Sequence, residues 1–460
     1  MSFRFCDNGR PFHTADSVAR LDHSPKTLDI IDLSHDGRGV ARWPEGQANA
    51  GKTVFVAGAL PGETVSVQQT ARSRHFDEAR TLEVLSASPD RVTPRCPHFG
   101  VCGGCVLQHL AEGKQIEAKQ RVLLDNLQRI GHVTSERVLP PLAGDAWGYR
   151  RKGRFSVRRV EKKDKTLVGF REQDPRFVAD IHECHVVVPQ LGLKVTALSA
   201  LVDSLDARGD IPQIEFIAGD AATALVFRHL QPLSEADRAK LEAFAREHGF
   251  AIYLQPGGLD SVHPLVGDAA QLAFRLPQWD VELNFRPLDF IQVNAKLNQA
   301  MIAHALALLD VQPGERVLDL FCGLGNFTLP LARVASEVIG IEGDAGLVQR
   351  ARANAAHNRL GNVQFHVADL VQDLAGQPWL KAGFDKLLLD PARSGALEVL
   401  KQLPLKGLKR IVYVSCHPGS LARDAGYLVN ERGWVLRAAG AMDMFPHTAH
   451  VESIAVFEPG

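Results

Sequence analysis

The sequence predicts a multidomain α/β protein, and three stretches of the chain support that prediction. Short apolar runs separated by Gly and Pro lie between Thr27 and Val84, and three cysteines lie within the ten residues from Cys96 to Cys105. In the last third of the chain, apolar strands alternate with helical segments, as in an open parallel sheet. We therefore expect a small N-terminal β-barrel, a central cysteine-bearing α+β domain and a C-terminal domain built on a parallel sheet.

The composition is typical of a protein of several domains that does not cross a membrane. The 460 residues are 45% hydrophobic and 23% charged, and the formal net charge is −1. No apolar run approaches the roughly 20 residues of a membrane helix, and no basic-then-apolar signal pattern begins the chain. Seven unevenly spaced cysteines argue against a secreted disulfide framework. We expect a cytoplasmic protein with no membrane partner.

The N-terminal part is predicted to contain a tail followed by a small barrel. Residues 1–24 match no regular element, so we expect a flexible tail there. In residues 25–86, short strands such as Leu28–Leu33 and Thr53–Val56 alternate with turn residues, which is typical of a barrel. The stretch Gly37-Arg38-Gly39-Val40-Ala41 resembles a TRAM domain, an OB-like RNA-binding module. That resemblance implies a contact between this barrel and RNA.

The central domain, residues 90–285, is predicted to hold a metal centre. Cys96, Cys102 and Cys105 lie close together, two of them flanking Gly-Gly, and can surround one centre. Cys184 is the distant cysteine that we expect as the fourth ligand, since the cysteines beyond residue 300 belong to other predicted strands. A tetrathiolate zinc site and a four-iron cluster both accept this set, and the spacing does not choose between them.

The same domain contains a strongly basic stretch. From Arg150 to Lys165 the chain has nine basic residues and two acidic ones, interleaved with Phe155 and preceded by Tyr149. This pattern suits an RNA backbone with aromatic platforms for stacking, and the alternative is a solvated hairpin face. The rest of the domain is predicted to include a strand at Gln213–Ala218 and a helix at Ser234–His248.

Residues 286–460 are predicted to form a Rossmann-like domain that binds a nucleotide cofactor. The run Val317–Phe327 is an apolar strand that ends in a glycine loop and opens a helix. Glu342 ends the next strand, where an acidic side chain can hydrogen-bond a ribose hydroxyl. The third glycine of a dinucleotide loop is missing, since Phe327 and Thr328 stand in its place. The loop therefore favours S-adenosylmethionine, which has no pyrophosphate, over NAD.

Each strand of this domain ends in a polar or thiol side chain, and the carboxyl ends of parallel strands share one edge of a sheet. For any single acid the alternative is a helix N-cap. The segments Trp434–Arg437 and Val451–Phe457 predict a closing antiparallel pair, because their connection is too short for a helical crossover. Such an ending favours a methyltransferase-type sheet over a dehydrogenase. The five side chains expected at the shared edge are Asp319, Glu342, Asp369, Asp390 and Cys416.

Cys416 is the predicted nucleophile. It ends an apolar strand just before His417 and Pro418, so its thiol can be exposed and activated, although a small buried side chain is the alternative. Beside a methyl donor, a thiol indicates methylation at carbon 5 of a pyrimidine, because thiolate addition at carbon 6 makes carbon 5 nucleophilic. A base must then remove the carbon 5 proton, and Glu452, near His450, is the candidate.

Taken together, six stretches of the chain resemble the RNA uracil-5-methyltransferase family, over a range from about Thr27 to the end. They are Phe290–Asn294, Asp319–Phe327, Asp390–Arg393, Ser415–Pro418, Asp443–Thr448 and His450–Glu452. The resemblance implies a class I S-adenosylmethionine-dependent domain with Cys416 as nucleophile and Glu452 as base. The residues that it implies around the cofactor are Gln292, Phe321, Asn326, Glu342, Asp369 and Asp390. The ligands that it implies for a [4Fe-4S] cluster are Cys96, Cys102, Cys105 and Cys184.

The combination of cluster cysteines with a TRAM-like barrel resembles the branch of the family that acts on 23S ribosomal RNA. It implies formation of 5-methyluridine at the uridine conventionally numbered 1939. We expect a monomer without an obligate protein partner. Two positions depart from the family, since relatives can carry Asn in place of Asp369 and His417. The open alternatives are another ribosomal or transfer RNA site, a cytosine-5-methyltransferase, and a non-catalytic RNA-binding protein. A cytosine-5-methyltransferase lacks support, because Asp390–Arg393 does not contain the Pro-Cys pair that is typical of that group.

Overall fold

The computed structural model describes residues 24–46, 49–381 and 383–460. The predicted flexible tail, residues 1–24, lies outside these residues except for Ser24. The described chain divides into two compact units: residues 24–34 with Arg38–Pro89, and His35–Gly37 with Asp90–Gly460. The predicted boundary near residue 286 falls inside the second unit and stays a prediction. Among the helices of the described ranges, none combines the length and apolar character needed to cross a membrane.

The first unit is a six-stranded sheet with the strand order β1-β5-β6-β4-β3-β2. Its strands are β1 Lys26–Asp29, β2 Asp32–Leu33, β3 Gly39–Arg42, β4 Thr53–Ala57, β5 Thr64–Arg72 and β6 Phe76–Ser86. Side chains alternate between core and surface along β5, so that Val65 and Val67 are fully buried. The predicted strand Leu28–Leu33 is divided in two, because Ile30 N bonds Glu63 O whereas Ile31 N bonds Val40 O.

A buried carboxylate holds one side of this first unit together. Asp77 on β6 is fully buried and accepts hydrogen bonds from Trp43 Nε1 at 2.8 Å, from Asn49 Nδ2 at 3.2 Å and from Lys52. A buried charge is tolerated only when it is paired and hydrogen-bonded. Asp77 therefore ties β6 to the connection between β3 and β4, which contains all three donors.

The second unit contains the remaining elements. Its helices are α1 Glu112–Arg129, α2 Pro189–Gly192, α3 Val195–Ser204, α4 Glu235–His248, α5 Ala295–Leu309, α6 Thr328–Ala332, α7 Ala345–His357, α8 Leu397–Gln402 and α9 Pro418–Gly426. Its earlier strands are β7 Arg137–Val138, β8 Lys152–Val160, β9 Lys165–Gly169, β10 Gln213–Ala218, β11 Thr223–Arg228, β12 Phe250–Gln255, β13 His263–Pro264, β14 Ala273–Leu276 and β15 Val281–Asn284. Its later strands are β16 Arg316–Leu320, β17 Glu337–Glu342, β18 Val363–Val367, β19 Lys386–Leu389, β20 Arg410–Ser415, β21 Trp434–Met442 and β22 Glu452–Pro459.

One sheet of this unit has the order β13-β12-β11-β10-β8-β9. The predicted strand Gln213–Ala218 is confirmed as β10, and the predicted helix is confirmed as α4. Ser234 is the N-cap of α4, since its hydroxyl accepts a hydrogen bond from Asp237 N at 3.1 Å. Gly249 ends the helix in the left-handed conformation, with φ at 70°.

The basic stretch Arg150–Lys165 does not form the predicted RNA surface as a whole. Its strand β8 lies inside the sheet, between β9 and β10, so alternate side chains point into the core. Arg151 is only 4% exposed, donates to Gln292 O at 2.8 Å and lies 4.4 Å from the Phe274 ring centroid. Phe155 and Tyr149 are buried and therefore cannot stack on bases, which corrects the prediction of aromatic platforms.

The largest sheet has the order β18-β17-β16-β19-β20-β22-β21-β7. Strands β16 to β20 are mutually parallel, and β22 runs antiparallel between β20 and β21, so the predicted closing pair is confirmed. Both faces of the parallel part are covered, because Val317 packs into one hydrophobic core and Leu318 into another. This sheet presents the carboxyl ends of β16 to β20 along one edge.

Candidate active site

The polar strand ends predicted from the sequence lie on the shared carboxyl edge of the parallel strands. They are Asp319 in β16, Glu342 at the end of β17, Asp369 beyond β18, Asp390 beyond β19 and Cys416 beyond β20. Ligands of open α/β sheets bind in the crevice outside this edge. The structure therefore places all five residues where a cofactor and a substrate can meet.

The glycine loop after β16 turns sharply into the short helix α6. Phe321, Gly323 and Gly325 all have positive φ angles, of 66°, 54° and 93°. A side chain on Gly325 would approach Leu329 Cγ to 3.0 Å, so this position is crowded as well as left-handed. The loop is bonded to the next strand, since Gly323 N donates to Glu342 Oε2 at 3.2 Å.

Asp319 lies beneath this loop and carries an unused acceptor. Its side chain is fully buried, and Oδ2 accepts a hydrogen bond from Thr328 Oγ1 at 2.5 Å. Oδ1 is buried without a hydrogen-bond partner in the described part of the chain. Burial, with smaller contributions from Asp390 and Glu342, raises the pKa of Asp319 to about 7. Since buried polar atoms are nearly always satisfied, this oxygen indicates a place for a polar ligand group.

An amide pair that sequence reasoning missed holds the loop from the other side. Asn298 on α5 and Asn326 exchange two side-chain hydrogen bonds, each of 2.9 Å. Asn298 is fully buried and lies between Leu297 and Met301 on the apolar face of α5. The sequence contained one indication of this contact, since Asn298 is an amide at a position of α5 where the helix pattern is apolar. The pair fixes the predicted cofactor residue Asn326 to a rigid helix.

The two other predicted cofactor residues, Gln292 and Asp369, lie before α5 and after β18. Gln292 precedes α5, and its main-chain oxygen is held by the Arg151 guanidinium. Asp369 is exposed, and its Oδ1 accepts a hydrogen bond from Val371 N at 3.1 Å. An Asn side chain can accept the same bond. The departure at Asp369 therefore leaves this turn intact.

Cys416 and Glu452 are brought together by the pairing of β20 with β22. Ser415 lies opposite Ser453 in this antiparallel pair, so the next residue of one strand adjoins the preceding residue of the other. Burial and then the charges of Glu452 and Asp390 raise the pKa of the Cys416 thiol to about 12. Burial and Asp390 raise the pKa of Glu452 to about 8. A thiol and a carboxyl group thus share one desolvated site.

Arg393, for which no role was predicted, acts on this pair. Its charge lowers the pKa of both Cys416 and Glu452. Its Nη2 lies 3.1 Å from His450 Nδ1, which must accept this bond because a guanidinium only donates. His417 is the N-cap of α9, with Nδ1 accepting from Ser420 N at 3.1 Å. An Asn can make the same cap, so the departure expected at His417 leaves the start of this helix intact.

The four predicted ligand cysteines line one pocket at a different place in the second unit. The pocket is bordered by Cys96, Cys102, Cys105 and Cys184, together with Phe99, Phe170 and other side chains. Burial raises the pKa of Cys102 to about 11 and that of Cys105 to about 12, and it also raises the pKa of the other two thiols. Within residues 24–46, 49–381 and 383–460, no group of three or more His, Cys, Asp or Glu side chains is arranged to hold a single metal ion.

Comparisons with known proteins agree on one family. Residues 194–458 match the family described as tRNA (Uracil-5-)-methyltransferase. A protein of Xanthomonas euvesicatoria pv. vesicatoria, named 23S rRNA (uracil(1939)-C(5))-methyltransferase RlmD, is 72% identical over 439 residues, which are 95% of this chain and 98% of that protein. A protein of Stenotrophomonas maltophilia (strain K279a) with the same name is 71% identical over 444 residues, or 96% of this chain and 99% of the other.

A solved structure gives the same result at the level of the fold. The tRNA (uracil-54, C5)-methyltransferase of Pyrococcus abyssi, in complex with S-adenosyl-L-homocysteine, superposes with a TM-score of 0.71 at 25% identity. The match covers 94% of this chain and 99% of that one. The chain therefore belongs to the uracil-5-methyltransferase family.

Proposed function

We propose that the protein methylates carbon 5 of a uridine in 23S ribosomal RNA, the one that its relatives' names number 1939, with S-adenosylmethionine as methyl donor. The observation that carries the proposal is the placement of Cys416 beside Glu452 on the same sheet edge as the glycine loop. The two relatives, which are at least 71% identical over nearly the full chain, support the choice of RNA and of the uridine.

The chemistry assigned to this chain begins with addition of the Cys416 thiolate to carbon 6 of the uracil. A carbon–sulfur bond forms, and the electron pair of the carbon 5–carbon 6 double bond becomes an enolate that makes carbon 5 nucleophilic. S-Adenosylmethionine, when bound, would supply the electrophilic methyl group that is taken up by the carbon 5 electron pair, and the electron pair of the broken sulfur–methyl bond would remain on the departing sulfur. The ionised Glu452 then accepts the carbon 5 proton, the double bond re-forms, and the thiolate of Cys416 leaves with the electron pair of the broken carbon–sulfur bond.

The electrostatics of the site suit the last step of this reaction, in which the carbon 5 proton is removed. A carboxylate with a pKa of about 8 is a stronger base than an ordinary glutamate, because burial and Asp390 disfavour its charge. The Cys416 thiol, with its pKa raised to about 12, requires a positive charge to ionise. Arg393 acts in that direction, and a cationic ligand on the same edge adds to it.

The residues present on the sheet edge fit S-adenosylmethionine. The Oδ1 atom of Asp319, which has no partner among the described residues, provides a hydrogen-bond acceptor. The open space at Gly323 allows a ligand to approach the backbone closely. The Pyrococcus abyssi structure, which contains S-adenosyl-L-homocysteine, supports this cofactor. The side chains that we propose to line the site are Gln292, Phe321, Asn326, Glu342, Asp369 and Asp390.

We also propose that the pocket lined by Cys96, Cys102, Cys105 and Cys184 holds a [4Fe-4S] cluster. All four donors are thiols, the ligand type of iron–sulfur clusters. Zinc tetrathiolate sites use the same ligands, so the choice of a cluster rests on the resemblance of these four cysteines to the family's cluster ligands. The methylation sequence requires no electron transfer, so we assign the cluster a structural role.

For RNA binding, we propose that the first unit is a TRAM domain that contacts the substrate. A uridine within folded RNA must leave its stack to reach Cys416, at a cost of a few kcal/mol that other RNA contacts must offset. A ribosomal RNA substrate implies a cytoplasmic location. The predicted domain limits at residues 25–86, 90–285 and 286–460 and the monomeric state stay predictions.

The proposed function is tested by trapping. Anaerobically purified protein is incubated with S-adenosylmethionine and 23S RNA fragments that contain 5-fluorouridine, since fluorine at carbon 5 cannot be removed as a proton. Mass spectrometry should find a methylated RNA adduct on Cys416 at the uridine named in the relatives, and Cys416→Ala protein should form none. Equal trapping by that variant would refute the covalent mechanism. A different mapped nucleotide would identify another RNA site, transfer of methyl to cytidine would indicate a cytosine enzyme, and RNA binding without transfer would indicate a non-catalytic protein.

A further inference from the structure

The connection between β21 and β22 carries the proposed base at one end. Met442, the last residue of β21, lies opposite Glu452, the first residue of β22, and residues 443–451 form the loop between them. We call residues 443–451 the base loop. Because the loop re-enters the sheet at Glu452, its conformation bears directly on the orientation of the Glu452 side chain beside Cys416.

Gln115, on α1, holds the middle of the base loop. Its side chain is only 1% exposed, its Oε1 accepts from His447 N at 2.8 Å, and its Nε2 lies 3.2 Å from His447 Nδ1. His447 has a φ of 66°, a conformation that costs energy in a residue other than glycine and persists only where its surroundings impose it. The ring of Trp147 lies against that of His447, with centroids 4.0 Å apart and the ring planes tilted by 37°.

Lys119 holds the start of the base loop from the next turn of the same helix. Its side chain is buried, and its Nζ donates to Asp443 Oδ1 at 2.6 Å and to Phe445 O at 2.9 Å. Its positive charge also lowers the pKa of Glu452. Residues four apart on a helix share one face, so Gln115 and Lys119 reach the loop side by side.

The segment that follows Cys105 reaches the same loop. Val106 N and Leu107 N both donate to His447 O, at 2.8 and 3.0 Å, and Leu107 O accepts from Gln115 Nε2 at 3.0 Å. His447 is therefore bonded through its main-chain N–H, its main-chain oxygen and its ring. The loop is tied at its start and at its middle to α1 and the cysteine segment.

A purely stabilising role is the alternative for these two side chains. A buried charge pair such as that of Lys119 and Asp443 contributes little net stability compared with apolar residues of similar size. Both polar side chains lie on the face of α1 that also buries Ile116, Leu123 and Leu127, and both are directed at the loop beside the base. This arrangement favours a role in placing the loop over one in stabilising the core.

We propose that Gln115 and Lys119 are positioning residues for Glu452, which fix the base loop so that the carboxylate reaches the carbon 5 proton. The inference rests on the proposed function, because it concerns the proton-removal step of that reaction. It assigns neither residue to the earlier step, in which Cys416 adds to carbon 6. The two steps can be measured separately, and this separates positioning from a general loss of structure.

The test compares two rates in Gln115→Met and Lys119→Met proteins. The first is the rate of adduct trapping with RNA that contains 5-fluorouridine, which requires Cys416 and the methyl donor but no proton removal. The second is multiple turnover on unmodified RNA, which requires release by Glu452. We expect the ratio of turnover to trapping to fall by about 10²-fold, the effect of displacing a catalytic group by roughly 1 Å. Methylated adduct should accumulate with unmodified RNA.

The controls separate the possible failures. Lys114→Met changes a half-exposed side chain on the same helix and should keep the wild-type ratio. Turnover and trapping that fall in parallel, or an unchanged ratio, would overturn the inference. If Lys119→Met protein does not fold, Gln115→Glu provides a second variant. It keeps the oxygen that accepts from His447 N but loses the Nε2 donor, and it should also lower the ratio of turnover to trapping. Absence of trapping by the wild-type protein would instead refute the proposed function.

The pH dependence of release gives a second readout. The charged and titratable groups that act on Glu452 are Asp390, Arg393, Lys119 and the neighbouring Cys416. Removing the Lys119 charge should move the release step to higher pH, whereas Gln115→Met should reduce its rate without moving the profile. An identical profile in wild-type and Lys119→Met proteins would exclude an influence of Lys119 on the base.

Discussion

Ser453 donates a side-chain hydrogen bond to the main-chain oxygen of Ser415 at 3.2 Å and thereby ties together the two strand ends that carry the reactive groups. One residue further along β20 is Cys416, and one residue before Ser453 is Glu452. Both serines are buried, so the bond is shielded from water. The sheet register therefore brings Cys416 and Glu452 side by side, and the base loop then fixes the orientation of the Glu452 carboxylate.

Replacing the base should separate the two halves of the reaction. Glu452→Gln keeps the shape of the side chain but cannot accept the carbon 5 proton at an appreciable rate. We expect turnover on unmodified RNA to fall by about 10²- to 10⁴-fold, with methylated adduct accumulating on Cys416. Denaturing electrophoresis and intact mass should show this adduct. If Glu452→Gln protein released product at the wild-type rate, another group would be the base.

The raised pKa of Glu452 predicts opposite effects of pH on activity and on stability. Release requires the carboxylate, so its rate should rise with pH through a pKa of about 8. The folded state favours the protonated form, so the stability that Glu452 contributes is full below its ordinary pKa of 4.5 and is lost as the pH rises through about 8. The rate of product release in a single turnover and the Tm should be measured across this pH range for the wild-type and Glu452→Gln proteins. The first measurement checks the pH dependence of release, and the second checks that of stability.

The pair Asn298–Asn326 should contribute to cofactor affinity. Asn298→Ala leaves the Asn326 amide without its partner on α5, a change that costs about 1–3 kcal/mol for a buried polar group. We expect weaker binding of S-adenosylhomocysteine, by roughly tenfold for each 1.4 kcal/mol, in titration calorimetry. Lys296→Ala, an exposed change near the same end of α5, should leave the affinity unchanged. Equal loss in both proteins would point to a general effect on the helix.

The buried carboxylate of the first unit should govern the stability of that unit. Asp77→Ala leaves the donors Trp43 Nε1, Asn49 Nδ2 and Lys52 Nζ without their shared acceptor. Loss of one partner of a buried ion pair costs about 3–5 kcal/mol. Hydrogen exchange should therefore rise throughout residues 24–34 and 38–89. Glu83→Ala, an exposed change on the same strand β6, should have no such effect.

The cysteine pocket makes a prediction about iron. Cys105→Ser and Cys184→Ser proteins should lose bound iron and sulfide when purified anaerobically, whereas Cys322→Ser, a buried cysteine outside the pocket, should retain them. Iron analysis and visible absorption measure this directly. Zinc at one equivalent in the wild-type protein, with no sulfide, would identify a mononuclear centre instead.

The sheet edge was predictable from the sequence because apolar strands end visibly, and parallel pairing places such ends together. Asp319, Glu342 and Cys416 could be assigned to one crevice for this reason alone. The role of Arg151 could not be predicted, since local charge density does not show that this residue leads into an interior strand, β8. The contribution of Asn298 was equally hidden, because its partner lies 28 residues away in the chain.

Residues that act through the base loop were beyond sequence reasoning for a different reason. Lys119 interacts with Asp443 across a sequence separation of 324 residues, and Gln115 with His447 across 332. Only the presence of polar side chains on the apolar face of α1 could have suggested a buried partner. The identity of that partner depends on how α1 packs against the rest of the protein, and no local sequence pattern determines this packing.

The two hydrogen bonds from Val106 and Leu107 to His447 join the cysteine segment to the base loop. Disorder of the cysteine segment would remove both bonds and, with them, part of the support of the loop that leads to Glu452. The integrity of a segment more than 300 residues away in the chain is thereby a condition for the geometry of the sheet edge.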